Sequence, residues 1–150
     1  MVNPTHPPEK LQELLDTLSF IDDRSERIDL LIGIADRFEE VPAHVANRPY
    51  SDEHKVPACE SEAYVWSEPL ADGTLAFHFA VENPQGISAK AMAVILSETL
   101  SGAPLEEVAA VRTDLIYTIF GNELSMGKSM GLMGMVAMVQ GAAKQALAAE

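Results

Sequence analysis

The sequence of 150 residues contains a single cysteine, Cys59. One thiol excludes an internal disulfide, a CxxC redox pair, and any zinc or iron–sulfur site built from the cysteines of one chain. The simplest interpretation is a protein of a reducing compartment, and we expect a cytoplasmic location. The N-terminus has no basic start followed by an apolar stretch, so no signal peptide is predicted.

Positive charge is also scarce. The chain has 10 Lys and Arg against 23 Asp and Glu, which gives a formal net charge of −13. Such a surface repels polyphosphates and anionic lipids, so neither nucleic acid nor a membrane is an expected partner. Docking to a basic patch on another protein remains open, as does adaptation to a saline cell.

Long apolar runs are absent as well. The longest run, residues 130–139, is about half of the roughly 20 residues that a membrane helix requires, so we expect a soluble protein. With an apolar fraction of 47%, a chain of this length can bury a core without disulfides or a structural metal. The sequence therefore predicts one domain over residues 1–150, with the proline-containing residues 1–8 as an extended leader.

The apolar spacing predicts two helices followed by a hairpin. Asp23 is a predicted cap for the second helix, which we expect to run from about Arg24 to Glu39. Residues 43–55 are polar and have no period, which is typical of a long loop. A compact β-favouring run at residues 63–66 and a clear alternation at residues 75–82 then predict two antiparallel strands.

The remainder of the chain is predicted to be helical. Ser88 is a candidate cap for a helix that ends at residues 101–102, and Pro104 begins another. The last helix is expected from about Ser129. Residues 127 and 131 are glycines four positions apart, a spacing that allows close contact in the core. The predicted fold class is α+β, a small antiparallel sheet packed against several helices.

Cys59 lies between the polar loop and the first strand rather than in a periodic apolar segment. A loop can present a thiol to a partner, whereas a structural cysteine would be a small buried hydrophobe, and both interpretations remain open. A reactive thiol needs nearby positive charge. His54 and Lys55 would favour the thiolate, whereas the neighbouring carboxylates of Glu53, Glu60 and Glu62 would oppose it.

Residues 56–64, VPACESEAY, resemble the V-P-G-C-Q-S-Q-V-W loop of the SufE family, whose members accept persulfide sulfur for iron–sulfur cluster assembly. Four further segments fall in the family's order. They are residues 26–31 (ERIDLL), 90–92 (KAM), 101–108 (SGAPLEEV) and 124–131 (LSMGKSMG). The resemblance covers roughly residues 11–140, which implies a single SufE-like domain.

The resemblance implies that Cys59 takes sulfur from a SufS-like cysteine desulfurase, stimulates that enzyme, and passes the sulfur to an iron–sulfur scaffold protein. Ser61 and Lys128 would support the loop or the persulfide, and the partner would meet Pro57, Ala58 and Glu60. No cofactor of the chain's own is implied, because pyridoxal phosphate belongs to the desulfurase. The protein would be a sulfur carrier rather than an independent enzyme, with its loop tucked against an apolar hollow at rest.

The chain departs from the family pattern at several positions. Ala58 replaces a glycine, which would hinder a positive φ there. Glu60 and Glu62 replace glutamines and add negative charge beside the thiol. Tyr64 replaces a tryptophan but keeps an aromatic ring, and Lys128 replaces an arginine, keeping the cation and losing its planar fork.

Two other function classes remain open. Cys59 could be the nucleophile of a small thiol enzyme, whose base would have to be His44, His54 or His78. Alternatively, the protein could be a binding module that regulates a partner, with Cys59 structural. The histidines, His6 included, have no metal-ligand spacing, so no metal site is expected.

Overall fold

The computed structural model describes residues 6–122 and 124–149, so the predicted leader at residues 1–8 falls mostly outside the described residues. This part of the chain forms six α-helices and one two-stranded antiparallel sheet. The elements are α1 (Glu9–Ser19), α2 (Arg24–Ala35), β1 (Ala63–Pro69), β2 (Leu75–Val81), α3 (Ile87–Leu100), α4 (Leu105–Ala109), α5 (Leu115–Phe120) and α6 (Met126–Ala148), with a 3-10 turn at Asp52–His54. The predicted α+β fold class is confirmed.

Helix α2 begins as predicted and ends earlier. The Asp23 carboxylate caps the helix by accepting a hydrogen bond from the Ser25 amide at 2.8 Å. The helix ends at Ala35 rather than near residue 39. Tighter i to i−3 bonds from the Arg37 and Phe38 amides close the last turn, so the apolar period continues past the end of the α-helix.

The hairpin pairs β1 with β2 in a register that sets Ala63 opposite Val81 and Ser67 opposite Phe77. The inner face of β2 is buried as predicted, with Phe77 and Phe79 almost inaccessible to solvent. Strand β1 extends past residue 66 and ends at Pro69. Proline is tolerated there because the end of an edge strand does not need a backbone amide for interstrand hydrogen bonding.

The outer face of the sheet is also covered. The segment at residues 41–50 lies over it and buries Tyr64 and Trp66 in a second apolar cluster. The rings of Tyr50 and Trp66 are 5.0 Å apart in an edge-to-face arrangement. The strand alternation predicted only one buried face. An alternating pattern within a strand carries no information about a polar loop that folds back over the other face.

Two helix starts differ from their predictions. Helix α3 begins at Ile87 with Gly86 as its cap, so Ser88 lies inside the helix instead of capping it. Helix α6 begins at Met126, before the predicted Ser129, because the Ser125 hydroxyl caps it by accepting a hydrogen bond from a backbone amide at 3.2 Å. The predicted start was too late because a glycine and a lysine in the first turn interrupt the apolar spacing from which the helix was predicted.

Helices α3 and α6 cover the inner face of the sheet, α3 against β2 and α6 against β1, while α1 and α2 pack on α3. The buried core between these layers includes Met92, Leu96 and Met135. None of the described helices is both long and apolar enough to cross a membrane. This packing brings the segment before β1 against the first turns of α6.

Candidate functional site: the cysteine loop

The cysteine loop, residues 56–62, is a closed loop that leads directly into β1. At its base the Val56 amide donates to the Ala63 carbonyl at 2.8 Å, and Lys55 bridges to Tyr64. Within the loop, the Glu62 amide donates to the Cys59 carbonyl at 3.3 Å. Cys59 is therefore held at the tip of a compact loop, and its side chain is half-buried.

Three glycines of α6 form the surface on which this loop lies, and we call Gly127, Gly131 and Gly134 the glycine seat. A Cβ atom added to Gly131 would lie 3.1 Å from both Cα and Sγ of Cys59. A Cβ on Gly134 would lie 2.8 Å from a methyl group of Val56. A Cβ on Gly127 would overlap a carboxylate that belongs to the loop. The close contact predicted from the glycine spacing is present, and its partner is the cysteine loop.

The loop contains two non-glycine residues with positive φ. Ala58 has φ of 57° and Glu62 has φ of 49°. A left-handed conformation costs an L-residue with a Cβ roughly 1–2 kcal/mol. Ala58 thus adopts the backbone conformation that alanine was expected to hinder, and strained residues flank Cys59 on both sides.

A cavity of about 320 Å³ opens beside Cys59. The structure brings the predicted supporting residues Ser61 and Lys128 to its wall, together with Glu60. Its lining also includes Asn83, Gln85, Gly86, Ile87, Ser88, Ala89, Gly127, Gly131 and Leu132. Pro57 and Ala58 are exposed on the loop outside this lining. No pattern in the sequence predicted that the first turn of α3 would line this cavity.

The charges around the cavity are arranged along the N-terminus of α6. Glu60 lies against Gly127 in the first turn, where the helix dipole favours negative charge. Lys128 follows in the same turn and contributes a cation to the cavity wall. Glu60, one of the carboxylates expected to oppose a thiolate, is therefore placed beside a helix N-terminus, and a lysine lines the same cavity as Cys59.

The histidines occupy other parts of the described structure. His54 approaches the Val65 carbonyl at 3.0 Å and stacks on Trp66. His44 and His78 contact the Glu68 carboxylate at 3.0 and 2.9 Å. The hydrogen bonds of His78 and then of His44 lower the pKa of Glu68.

Within the described part of the chain, none of the candidate bases His44, His54 and His78 lines the Cys59 cavity. No group of three or more His, Cys, Asp or Glu side chains in residues 6–122 and 124–149 is arranged to hold a metal ion.

Comparison with known proteins gives a match to a family model and matches to solved structures. The family model described as SufE, Fe–S metabolism associated domain, matches residues 12–143. The solution structure of a hypothetical protein from Thermus thermophilus is similar with a TM-score of 0.75 and 21% sequence identity, covering 95% of this chain and 99% of that one. No curated protein matches. The structural likeness supports the fold, and the family match confirms the resemblance of the motifs: the chain belongs to the SufE family and has a role in iron–sulfur metabolism.

Proposed function

We propose that this protein is a sulfur acceptor that takes persulfide sulfur from a cysteine desulfurase onto Cys59, stimulates the desulfurase, and passes the sulfur to an iron–sulfur scaffold protein. One observation carries the proposal. In a chain of the SufE family, the only thiol lies at the tip of a closed loop, beside a cavity that also contains Ser61 and Lys128. Pyridoxal phosphate remains in the desulfurase, and this chain acts as a carrier.

The transfer needs no external oxidant or reductant. The Cys59 thiolate attacks the outer sulfur of the persulfide on the desulfurase cysteine, and a new S–S bond forms at Cys59. The S–S bond of the donor breaks, and its inner sulfur leaves as a thiolate that takes up the proton lost by Cys59. Atoms and electrons therefore balance between one thiol and one persulfide on each side.

The side chains around the cavity have separate roles in this step. The Lys128 ammonium stabilises the thiolate before transfer and the persulfide anion after it, since both are negatively charged. The Ser61 hydroxyl offers a hydrogen-bond donor on the same wall. Pro57, Ala58 and Glu60 are exposed on the loop and form the first surface that a partner meets.

The proposal is tested by the intact mass of the protein after incubation with a cysteine desulfurase, pyridoxal phosphate and cysteine under non-reducing conditions. We expect a gain of one sulfur atom that a reductant removes, together with faster alanine release by the desulfurase. Cys59→Ser is the matched control and should show neither effect. If Cys59→Ser stimulates alanine release as strongly as the native chain, the protein is a regulator with a structural Cys59 instead.

A further inference from the structure

A second and larger groove, of about 730 Å³, opens between α2, α3 and the segment that joins α5 to α6. Three isoleucines are exposed in it: Ile28 is 45% exposed, Ile32 40% and Ile87 47%. Clustered apolar side chains on a water-exposed surface mark an interaction site more often than scattered ones do. We call this feature the isoleucine groove.

One wall of the groove is an exposed helix ridge. Ile28 and Ile32 are four residues apart on α2, and residues at this spacing lie one above the other on the same helix face. On α3, Ile87 is exposed in the groove, whereas Ala91, four residues further on, is buried. The ridge of α2 with Ile87 beside it offers an apolar surface to one face of a third helix, whose side chains repeat at the same interval.

The described lining of the groove is less acidic than the chain as a whole. It contains the cations Arg27 and Lys128 and one carboxylate, Asp22, together with Arg24, which is already engaged in an interaction. The whole chain has 10 Lys and Arg against 23 Asp and Glu. A helix with Asp or Glu beside its apolar face is therefore complementary to this groove and not to the acidic surface elsewhere.

Arg27 ties together the elements beside the groove. Its guanidinium donates to the carbonyl of Leu18 in α1 and to that of Ile21 just after this helix, at 3.0 and 3.1 Å. It also donates to the carbonyls of Thr118 and Ile119 in α5, at 2.8 and 3.1 Å. One side chain thus connects α1, α2 and α5, and a groove held together in this way needs less ordering when a partner binds.

The groove is continuous with the cavity of the cysteine loop, because Ile87, Ser88 and Lys128 line both. A protein seated in the groove is therefore held beside Cys59. We propose that the isoleucine groove binds an amphipathic, acidic helix of the protein that donates the persulfide. This inference rests on the proposed function, since it assigns a docking surface to the donor of that reaction.

The test compares two apolar residues of equal exposure. Ile32→Glu places a carboxylate in the groove, whereas Leu70→Glu makes the same change at the hairpin turn, where the side chain is 39% exposed. Both are made in the Cys59→Ser background, so binding is measured without transfer, and the probe is a pyridoxal-phosphate-loaded cysteine desulfurase. We expect Ile32→Glu to raise the dissociation constant about tenfold or more and Leu70→Glu to leave it unchanged. Ile28→Gln, a milder change in the same wall, serves if thermal unfolding shows that Ile32→Glu is unfolded.

The outcomes separate this inference from the proposed function. If the groove variants bind the desulfurase as tightly as Leu70→Glu while the native chain gains sulfur on Cys59, the groove is not the donor's docking surface and the acceptor function stands. If the groove variants bind the desulfurase normally and, remade with Cys59 intact, gain sulfur but impair only its onward transfer to a scaffold protein, the occupant is the recipient and the inference is wrong. If the native chain neither binds the desulfurase nor gains sulfur, the proposed function fails and the inference fails with it.

Discussion

The two turns that flank β1 are held in different ways. In the turn after β1, residues 70–74, the Leu70 amide donates to the Thr74 carbonyl at 2.9 Å. The Asp72 carboxylate accepts from the amide and hydroxyl of Thr74 at 3.0 and 2.6 Å, and the positive φ falls on Gly73. In the cysteine loop before β1, positive φ falls on Ala58 and on a glutamate, and the loop lies against the glycine seat of α6.

This difference shows which turn is suited to move. A turn that contains its own hydrogen bonds and its own glycine keeps its shape when its surroundings change. The cysteine loop contains strain and depends on its fit to another element, so a partner that competes for the seat can release it. Under the proposed function, Cys59 meets a donor and then a recipient, and a loop of this second kind suits that sequence of contacts.

The largest effect is expected from Gly131→Ala, because its new Cβ meets the backbone and sulfur of Cys59 at 3.1 Å. Overpacking of this kind costs about 1–3 kcal/mol, while alanine recovers about 1 kcal/mol of helix propensity. We expect the loop to leave the seat and Cys59 to react with iodoacetamide about tenfold faster.

Gly141→Ala is the matched control for that change, since it lies on the same helix and its Cβ meets nothing within 4 Å. It should raise the free energy of unfolding by up to about 1 kcal/mol and leave alkylation of Cys59 unchanged. Equal alkylation rates in the two variants would show that the glycine seat does not hold the loop.

A smaller effect, on the other turn, is expected from Gly73→Ala. With φ of 89°, this position disfavours any residue with a Cβ, so the free energy of unfolding should fall by about 1 kcal/mol. Chemical denaturation measures the loss. Cys59 alkylation should not change, because the turn lies at the far end of β1, and a faster rate would mean that the two turns are coupled.

Ala58→Gly should act in the opposite direction on the cysteine loop. Glycine relieves the left-handed strain of Ala58 and increases the entropy of the unfolded chain, so the net gain in unfolding free energy is at most about 1 kcal/mol. We expect slower alkylation of Cys59, since the unstrained loop seats better. Faster alkylation in this variant would indicate that the strain does not oppose seating.

The smallest effect is expected from acidification, and it should be confined to the turn after β1. The hydroxyl of Thr74 and then its amide hydrogen-bond to Asp72 and lower the pKa of its carboxyl below the ordinary value. A lowered pKa gives stability that is present above the unfolded pKa, near 4, and is lost as the pH falls through the folded pKa. Amide exchange of Thr74 should accelerate in this range and become independent of pH in Asp72→Asn, apart from the intrinsic exchange rate. If amide exchange in Asp72→Asn depends on pH as it does in the native protein, the Asp72 carboxyl is not the group responsible.

Local patterns in the sequence predicted much of the fold. The alternation in β2 identified the hairpin and its buried face, and Asp23 marked the start of α2, because both signals arise from neighbouring residues. The cysteine motif likewise singled out Cys59, which lines one cavity with Ser61 and Lys128, and the roles that the resemblance implies for these residues stay predictions.

Other features depend on contacts between distant residues and could not be predicted in this way. The spacing of Gly127 and Gly131 predicted a close contact but not that the cysteine loop would occupy it. The covering of Tyr64 and Trp66 depends on how the polar segment at residues 41–50 folds back. The isoleucine groove likewise exists only when α2 and α3 are brought together.

The most direct test of a loop held closed by its fit is the alkylation rate of Cys59 in the free native protein, compared with the same protein in denaturant at the same pH. Since the chain has one cysteine, total thiol loss reports this residue alone. We expect the folded protein to react at least about tenfold more slowly, as an opening step costing over 1.4 kcal/mol requires. Equal rates in the folded and unfolded protein would mean that Cys59 is freely exposed at rest and that the glycine seat does not hold the loop closed.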